Sequence, residues 1–295
     1  MKLGILSDVH GNIRALKAAI DYMESSGVDR YCFLGDYLGE LPGVQEVCNL
    51  INDLSQRKKC YIIKGNKEEY LLNGICEGHP EWDEYKSVVG MLRYSANSIN
   101  NETKERLCNL PISMEVKIDD YPAIIICHGS PKSAKNPVLS HKYGLDKELL
   151  STINYKYIIH GHTHYQEEME YEGKHIFNPG TIGLPCNKRT ETEFMILHGI
   201  NNEWVPEFIN LEYDYMAVVN DMHEYKLYEI APYWAKATET LITGINPVNN
   251  GRMLTKAMEL CTQEEGKCEW PLISEKYMKE AFELLSKQYY EIKEG

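Results

Sequence analysis

The sequence predicts an α/β protein, a two-sheet sandwich with outer helices, followed by a helical C-terminal part. Three observations carry that expectation. Short apolar runs alternate with amphipathic helical patterns through the first half, strand-like runs follow one another after Pro111, and the pattern turns helical again from about residue 213. At 295 residues the chain is long enough to bury a sizeable core.

Taken in order, "KLGILSD" (2–8) reads as a buried strand and "NIRALKAAIDYMESSG" as a helix closed by Gly27. "RYCFLGD" (30–36) is the next strand, followed by a helix near 43–56, a strand in "KCYIIKGN" (59–66) and helical material over about 67–109. Beyond Pro111 come "ISMEVKI", "AIIICHGS", "YKYIIHGHTH", "KHIFNPG", "EFMILHGI" and "EWVPEFINLEY", with one helical candidate near 145–154. Several of these strands leave no room for a crossover helix, which predicts a mixed second sheet packed on the first. Residues 1–212 are expected to form the main α/β domain and 213–295 a helical extension that covers a sheet face, caps a functional site or mediates homo-oligomer formation.

No window approaches the roughly 18 consecutive apolar residues of a membrane span. The N-terminal stretch turns polar too soon for a secretory signal, so a cytoplasmic protein is expected, with no membrane partner. Nine cysteines without a C-x-x-C pair read as reduced thiols rather than a zinc site, Cys32, Cys60 and Cys127 lying inside apolar runs. A formal charge of −13 argues against a large nucleic-acid footprint. It leaves room for a small anionic substrate if bound cations override the field locally.

The chemistry lies where the apolar runs stop. They release into Asp8 and His10, Asp36, Asn66, His128, and His160 with His162; four of these five ends have glycine beside the first polar residue. Parallel strands gather such ends on one rim, where open α/β sheets bind ligands. In Asp8-x-His10 and His160-x-His162, residues two apart on extended chain point to one side, so each pair would present two donors to one centre. Seven donors exceed one transition-metal site but suit two ions if Asp36 bridges them. Imidazole, carboxylate and amide donors without thiolate favour Mn, Fe or Zn over Ca or Mg.

The set D8-V-H10, G35-D36, G65-N66-K-E68, H128-G and H160-G-H162 resembles the calcineurin-like metallophosphoesterase superfamily, and "NPGTIGLP" (178–185) is similar to a signature of its bacterial phosphodiesterase and diadenosine tetraphosphatase-like branch. The resemblance implies a four-layer α-β-β-α sandwich. It also implies a first metal on Asp8, His10, Asp36 and His162, a second on Asp36, Asn66, His128 and His160, and a bridging hydroxide as nucleophile. Many members carry a histidine after the Asn, oriented by an Asp three positions after the bridging Asp; here those positions are Lys67 and Gly39. Loss of that pair weighs on poor leaving groups. A phosphodiester or dinucleoside polyphosphate is therefore the expected substrate, with a serine/threonine phosphatase as the alternative and a non-catalytic scaffold behind it.

Asn66, His128, Asn12 and Lys67 are the candidate catalytic residues, Lys67 as a point charge on phosphate. Asn12, Arg14, His164 and Arg189 are candidate substrate contacts, with Lys188 beside the last. Cys186 reads as a passive thiol and His79 as a loop residue. No pattern selects a base-stacking residue among the 21 tyrosines.

Overall fold

A computed structural model describes residues 1–72, 79–136, 139–186 and 190–294. The strands are β1 (Lys2–Leu6), β2 (Arg30–Phe33), β3 (Lys59–Ile62), β4 (Ser113–Val116), β5 (Ile124–Cys127), β6 (Leu139–Ser140), β7 (Gly144–Leu145), β8 (Tyr157–Ile159), β9 (Gln166–Tyr171), β10 (Lys174–Pro179), β11 (Thr192–Ile200) and β12 (Glu203–Leu211). The helices are α1 (Ile13–Ser25), α2 (Val44–Arg57), α3 (Asn66–Leu72), α4 (Lys86–Ser98), α5 (Asn101–Cys108), α6 (Lys147–Thr152), α7 (Tyr215–Glu224), α8 (Leu227–Ile230), α9 (Pro232–Thr243), α10 (Asn250–Glu265) and α11 (Glu275–Glu294).

Two five-stranded mixed sheets form, in the orders β12-β11-β1-β2-β3 and β4-β5-β8-β10-β9. β1, β2 and β3 run parallel in the first, and β5, β8 and β10 run parallel in the second. Strict alternation along each central strand explains its unbroken apolar sequence. Leu3, Ile5, Cys32, Ile124, Ile126, Tyr157 and Ile159 fill the layer between the sheets. Leu6, Tyr31 and Phe33 face α1 and α2 on one outer side, and Ile125, Cys127 and Ile158 join Leu150, from α6, on the other. The architecture is thus the four-layer α-β-β-α sandwich that the resemblance implies, with helices α7 to α11 beyond it.

One detail differs from the sequence reading. β11 and β12 return to the first sheet, β11 pairing antiparallel with β1, instead of extending the second. The first sheet's parallel crossovers fill only one side of β1, and a long apolar strand such as "TEFMILHGI" is buried on both faces if it takes the other. β9 and the small β6–β7 hairpin were not expected; the polar sequence of β9, "QEEMEY", has one fully buried residue because it is an edge strand.

After β2 the chain turns sharply beside the loop after β3. Gly35 has φ of 100°, and a Cβ there would lie 2.3 Å from the Gly65 nitrogen. Gly35→Ala is expected to destabilise the fold by roughly 2–4 kcal/mol, the scale of overpacking added to backbone strain. Gly27→Ala, at positive φ but with open space around it, is expected to lose only about 1 kcal/mol. Parallel denaturant melts read the difference, and equal losses would show that φ alone decides.

Candidate metal centre

Five strand ends from two sheets supply the donors. Asp8 and His10 follow β1, Asp36 follows β2, Asn66 opens α3 after β3, His128 follows β5, and His162 and His164 follow β8. Main-chain bonds tie these ends together. Asp8 N donates to Gly35 O, His10 N to Asp36 O, and Gly161 N to His128 O. Ordinary strand pairing therefore delivers separate parts of the chain to one buried point.

The donors fall into two groups, Asp8–His10–His164 and Asp36–His128–His162; within each the ligand atoms lie within 4.8 Å of one another. His10 Nε2 lies 3.8 Å from Asp8 Oδ1, and His164 Nε2 3.2 Å from the same oxygen. Asp36 Oδ2 stands 3.8 Å from His10 Nε2 and 3.4 Å from His128 Nε2, so it reaches both groups. Asn66 Oδ1 is 3.0 Å from His128 Nε2.

The outer ring nitrogens are engaged elsewhere, which fixes each imidazole. His10 Nδ1 lies 2.7 Å from Glu40, His128 Nδ1 donates to Leu34 O, and His164 Nδ1 donates to Leu184 O. That arrangement leaves the Nε2 lone pairs directed inward, the usual orientation of metal-ligating histidine. His10 Nε2 and His164 Nε2 then face each other at 3.0 Å, a separation that calls for a proton or cation beside them. Asp8 Oδ2 receives Ser7 Oγ and His162 N, whereas Asp8 Oδ1, fully buried, has no hydrogen-bond partner. An orphaned carboxylate oxygen among converging imidazoles fits a divalent cation in the Asp8–His10–His164 group.

The conformation is strained where the donors sit. Asp8, His10, Asp36, His162 and His164 all have φ between 51° and 68°. Such backbone in non-glycine residues costs about 1–3 kcal/mol each and persists only when held by its surroundings. Glu68 does the holding at Asp36: its carboxylate accepts the N–H groups of Gly65, Asp36, Tyr37 and Leu38. The "NPGTIG" segment does so at Asp8, where Thr181 Oγ1 and Gly183 N donate to Asp8 O. The expected extended Asp8-x-His10 pair is therefore a left-handed turn, yet its side chains converge.

The histidines after β8 are shifted by two positions from the sequence reading. His162 and His164 stand in the clusters, and His160 stands in neither. His160 continues the strand, its N–H bonded to Phe177 O, and its Nδ1 lies near Gly161 O and the Asn178 amide. Burial lowers its pKa to about 4. Sequence spacing favoured the histidine nearest the strand end, but the strand's own pairing carries that residue past the centre.

Other expected residues divide. Asn12 caps α1 through Ala15 N and donates to Gly183 O and Tyr213 Oη, so both ends of its amide are engaged. Arg14 forms a two-point ion pair with Asp221 of α7. Neither joins the clusters, because each ties α1 to a neighbouring segment. Lys67 donates its main-chain N–H to Asp36 Oδ1 and pairs its ammonium with Glu40. Cys186 is a half-buried thiol 3.8 Å from His164 Nδ1, and His79 stacks on Trp82 away from the site. Lys188 and Arg189 lie outside the described residues.

Glu40, Glu68 and Asn178 carry roles that the sequence reading missed. Glu40 links His10 to Lys67, so a glutamate–lysine pair stands close to the positions, 39 and 67, where the resemblance implies aspartate and histidine. Burial opposes its ionisation, but Lys67 and His10 hold its pKa well below the usual range. Its position four residues after Asp36, one beyond the expected Asp, was the available signal.

A cavity of about 310 Å³ opens over the donors. Lys67, His162 and His164 line it from the sandwich, and Trp234, Asn249 and Asn250 line it from the helical part.

Two consequences are measurable. Glu40→Gln weakens the hold on His10 and is expected to lower divalent-metal affinity by about 10–100-fold, read by equilibrium dialysis. Burial disfavours the His128 cation, but Asp36 and Asp8 outweigh it and raise the pKa to about 9. Below that pH an arriving cation must displace the proton, so affinity falls as pH falls. Near pH 7 His128 should release about one proton as its own cluster fills, and His164, which burial disfavours as a cation but Asp8 holds well above the usual imidazole range, should add to the release as the other cluster fills. Calorimetry in buffers of different ionisation enthalpy reads that release, and a value near zero would contradict it.

A model of the calcineurin-like phosphoesterase superfamily domain matches residues 1–202. An uncharacterized protein of Methanocaldococcus jannaschii is 25% identical over 228 residues, 72% of this chain and 88% of that protein. Among solved structures, a hypothetical protein from Pyrococcus horikoshii aligns with a TM-score of 0.67 at 22% identity, covering 79% of this chain and 97% of its own. A metallophosphoesterase from Sphaerobacter thermophilus aligns with a TM-score of 0.62 at 21% identity, covering 83% and 100%. These structural likenesses carry the fold. The matched domain and the two ligand clusters lead to one conclusion: the chain belongs to the calcineurin-like phosphoesterase superfamily and is a metal-dependent phosphoesterase.

Proposed function

We propose that the protein hydrolyses a phosphodiester, or the anhydride of a dinucleoside polyphosphate, with two divalent transition-metal ions, Mn²⁺ foremost and Fe or Zn as further candidates. Asp8, His10 and His164 would hold one ion, Asn66, His128 and His162 the other, and Asp36 would bridge them. The observation that carries the reading is the position of Asp36 Oδ2, within 3.8 Å of His10 Nε2 and 3.4 Å of His128 Nε2. When bound, the metals would supply positive charge against the phosphoryl oxygens and lower the pKa of an attacking water.

The protein's own groups shape the choice of substrate. Glu40 holds Lys67's ammonium at the wall of the cavity, where it offers fixed charge to a phosphate oxygen and lowers the desolvation penalty of the anion. Glu40 and Lys67 take the region of the absent aspartate–histidine pair. A salt-bridged ammonium is a poorer proton donor than an imidazolium. This supports an ester or anhydride with a stable leaving group over the serine alkoxide of a protein phosphatase. Residues 1–212 are proposed as the catalytic unit and 213–295 as an extension that completes the wall of the site.

Turnover of a matched aryl monoester, aryl diester and diadenosine tetraphosphate tests the reading. Mn²⁺-loaded protein should prefer the diester or the tetraphosphate and lose activity under chelation. Asp36→Ala and His128→Ala should each lower kcat by at least about several hundred-fold, the scale of removing a main source of transition-state charge stabilisation. Retained activity in either variant would overturn these ligands, and a monoester preference would overturn the substrate class.

A further inference from the structure

A second cavity of about 340 Å³ adjoins the catalytic one. Tyr70, Leu92, Trp234, Leu254 and Trp270 wall it, and Glu40, Lys67 and Trp234 also line the catalytic cavity. The two spaces thus meet at the Glu40–Lys67 pair. Glu40 lies 2.7 Å from His10 Nδ1 and pairs with Lys67, so that boundary lies one side chain from the first donor cluster. Most of this wall belongs to α4 and the helical part: Leu92 lies on α4, Trp234 on α9, Leu254 on α10, and Trp270 on the segment between α10 and α11.

We propose that this cavity is a subsite for an aromatic ring carried on the phosphate ester, with the phosphate at the metal centre and Lys67 between them. The inference rests on the phosphoesterase reading above and names the class of substrate that it leaves open. Three of the wall residues are aromatic, and Lys67 Nζ lies 5.8 Å from the centre of the Trp234 ring. A flat guest gains offset or edge contacts with such rings beyond what its buried area supplies, and an alkyl chain of equal size does not. Glu40 and Lys67 are the ionisable side chains at the boundary, and they hold each other. Recognition there is by stacking and shape, with charge read at the phosphate. Binding energy gained away from phosphorus positions the ester for attack.

Benzyl-, cyclohexylmethyl- and methylphosphonate, titrated calorimetrically into Mn²⁺-loaded full-length protein, separate the possibilities. Benzylphosphonate is expected to bind at least about ten-fold more tightly than methylphosphonate, and about three-fold more tightly than the cyclohexyl probe. Leu254→Trp, which fills the cavity, should reduce the benzyl advantage below about two-fold and leave methylphosphonate affinity unchanged. Should that variant fail to bind methylphosphonate, Trp270→Ala decides, because it removes a part-exposed wall and should lower the benzyl advantage alone. Equal affinity for all three probes in the natural protein would overturn the subsite, as would an advantage that survives both variants. Equal benzyl and cyclohexyl affinity, both above methyl, would overturn the aromatic class. Diester turnover on the same preparation keeps the two readings apart. Turnover without probe preference removes the subsite only, and cavity-dependent preference without turnover removes the hydrolase reading only.

Discussion

Two carboxylates and four imidazoles crowd into one largely buried space, and that crowding is the constraint on which the rest of the structure depends. Asp8 and His128 are fully buried and Asp36 is 2% exposed. Buried charges of one sign are unfavourable by several kcal/mol each unless opposite charge meets them. The two carboxylates therefore need positive charge beside them, from the His128 cation, which burial opposes but whose pKa they raise to about 9, or from a divalent ion that displaces its proton. Every local oddity of the rim answers that need. Five donor residues accept left-handed backbone, and Glu68 spends its whole carboxylate on four main-chain N–H groups to fix the turn at Asp36. Glycine stands at 65 because a Cβ would meet Asp36 Oδ1 at 2.2 Å.

The same constraint explains how a chain of formal charge −13 can attract an anion. Long-range attraction is absent, so affinity has to arise within a few ångströms, where bound cations dominate the field. Lys67 adds a protein cation at the edge of that region. Its charge is balanced by Glu40, which also orients His10. One carboxylate thus serves the ligand cluster and the substrate-facing cation together, and each role depends on the other.

Much of this was legible from residue order. Apolar runs ending in Asp, Asn or His marked the rim, and five of the seven predicted donors that meet there, Asp8, His10, Asp36, His128 and His162, fall in the two clusters. Asn66 adjoins the second cluster, its Oδ1 lying 3.0 Å from His128 Nε2. The shift from His160 to His164 was not legible. It depends on how far β8 keeps pairing with β10, a tertiary matter that the string "HGHTH" does not encode. Glu40 escaped notice for a different reason, since an acidic residue near a motif looks like solvated surface until burial is known, and Glu68 stood in the G65-N66-K-E68 string without a role. Asn12 illustrates the converse, since a helix-capping asparagine beside a site resembles a substrate contact in sequence.

The helical part is joined to the catalytic rim by packing more than by charge. The Arg14–Asp221 pair is half-exposed on the arginine side, and such pairs contribute about 0–1 kcal/mol. Against it stands an apolar cluster in which Val218, Met222, Leu227 and Ile242 bury themselves with Leu41, Met91 and Leu184. Each large side chain so buried contributes about 1.5–3 kcal/mol, so the cluster decides the seating. Two of its members sit at the metal centre's supports. Leu41 follows Glu40, which fixes His10, and the carbonyl of Leu184 fixes His164. Those two imidazoles belong to the same donor group, Asp8–His10–His164. That donor group is therefore flanked on one side by the strands of the sandwich and on the other by the packed helices, which also wall the cavity above it.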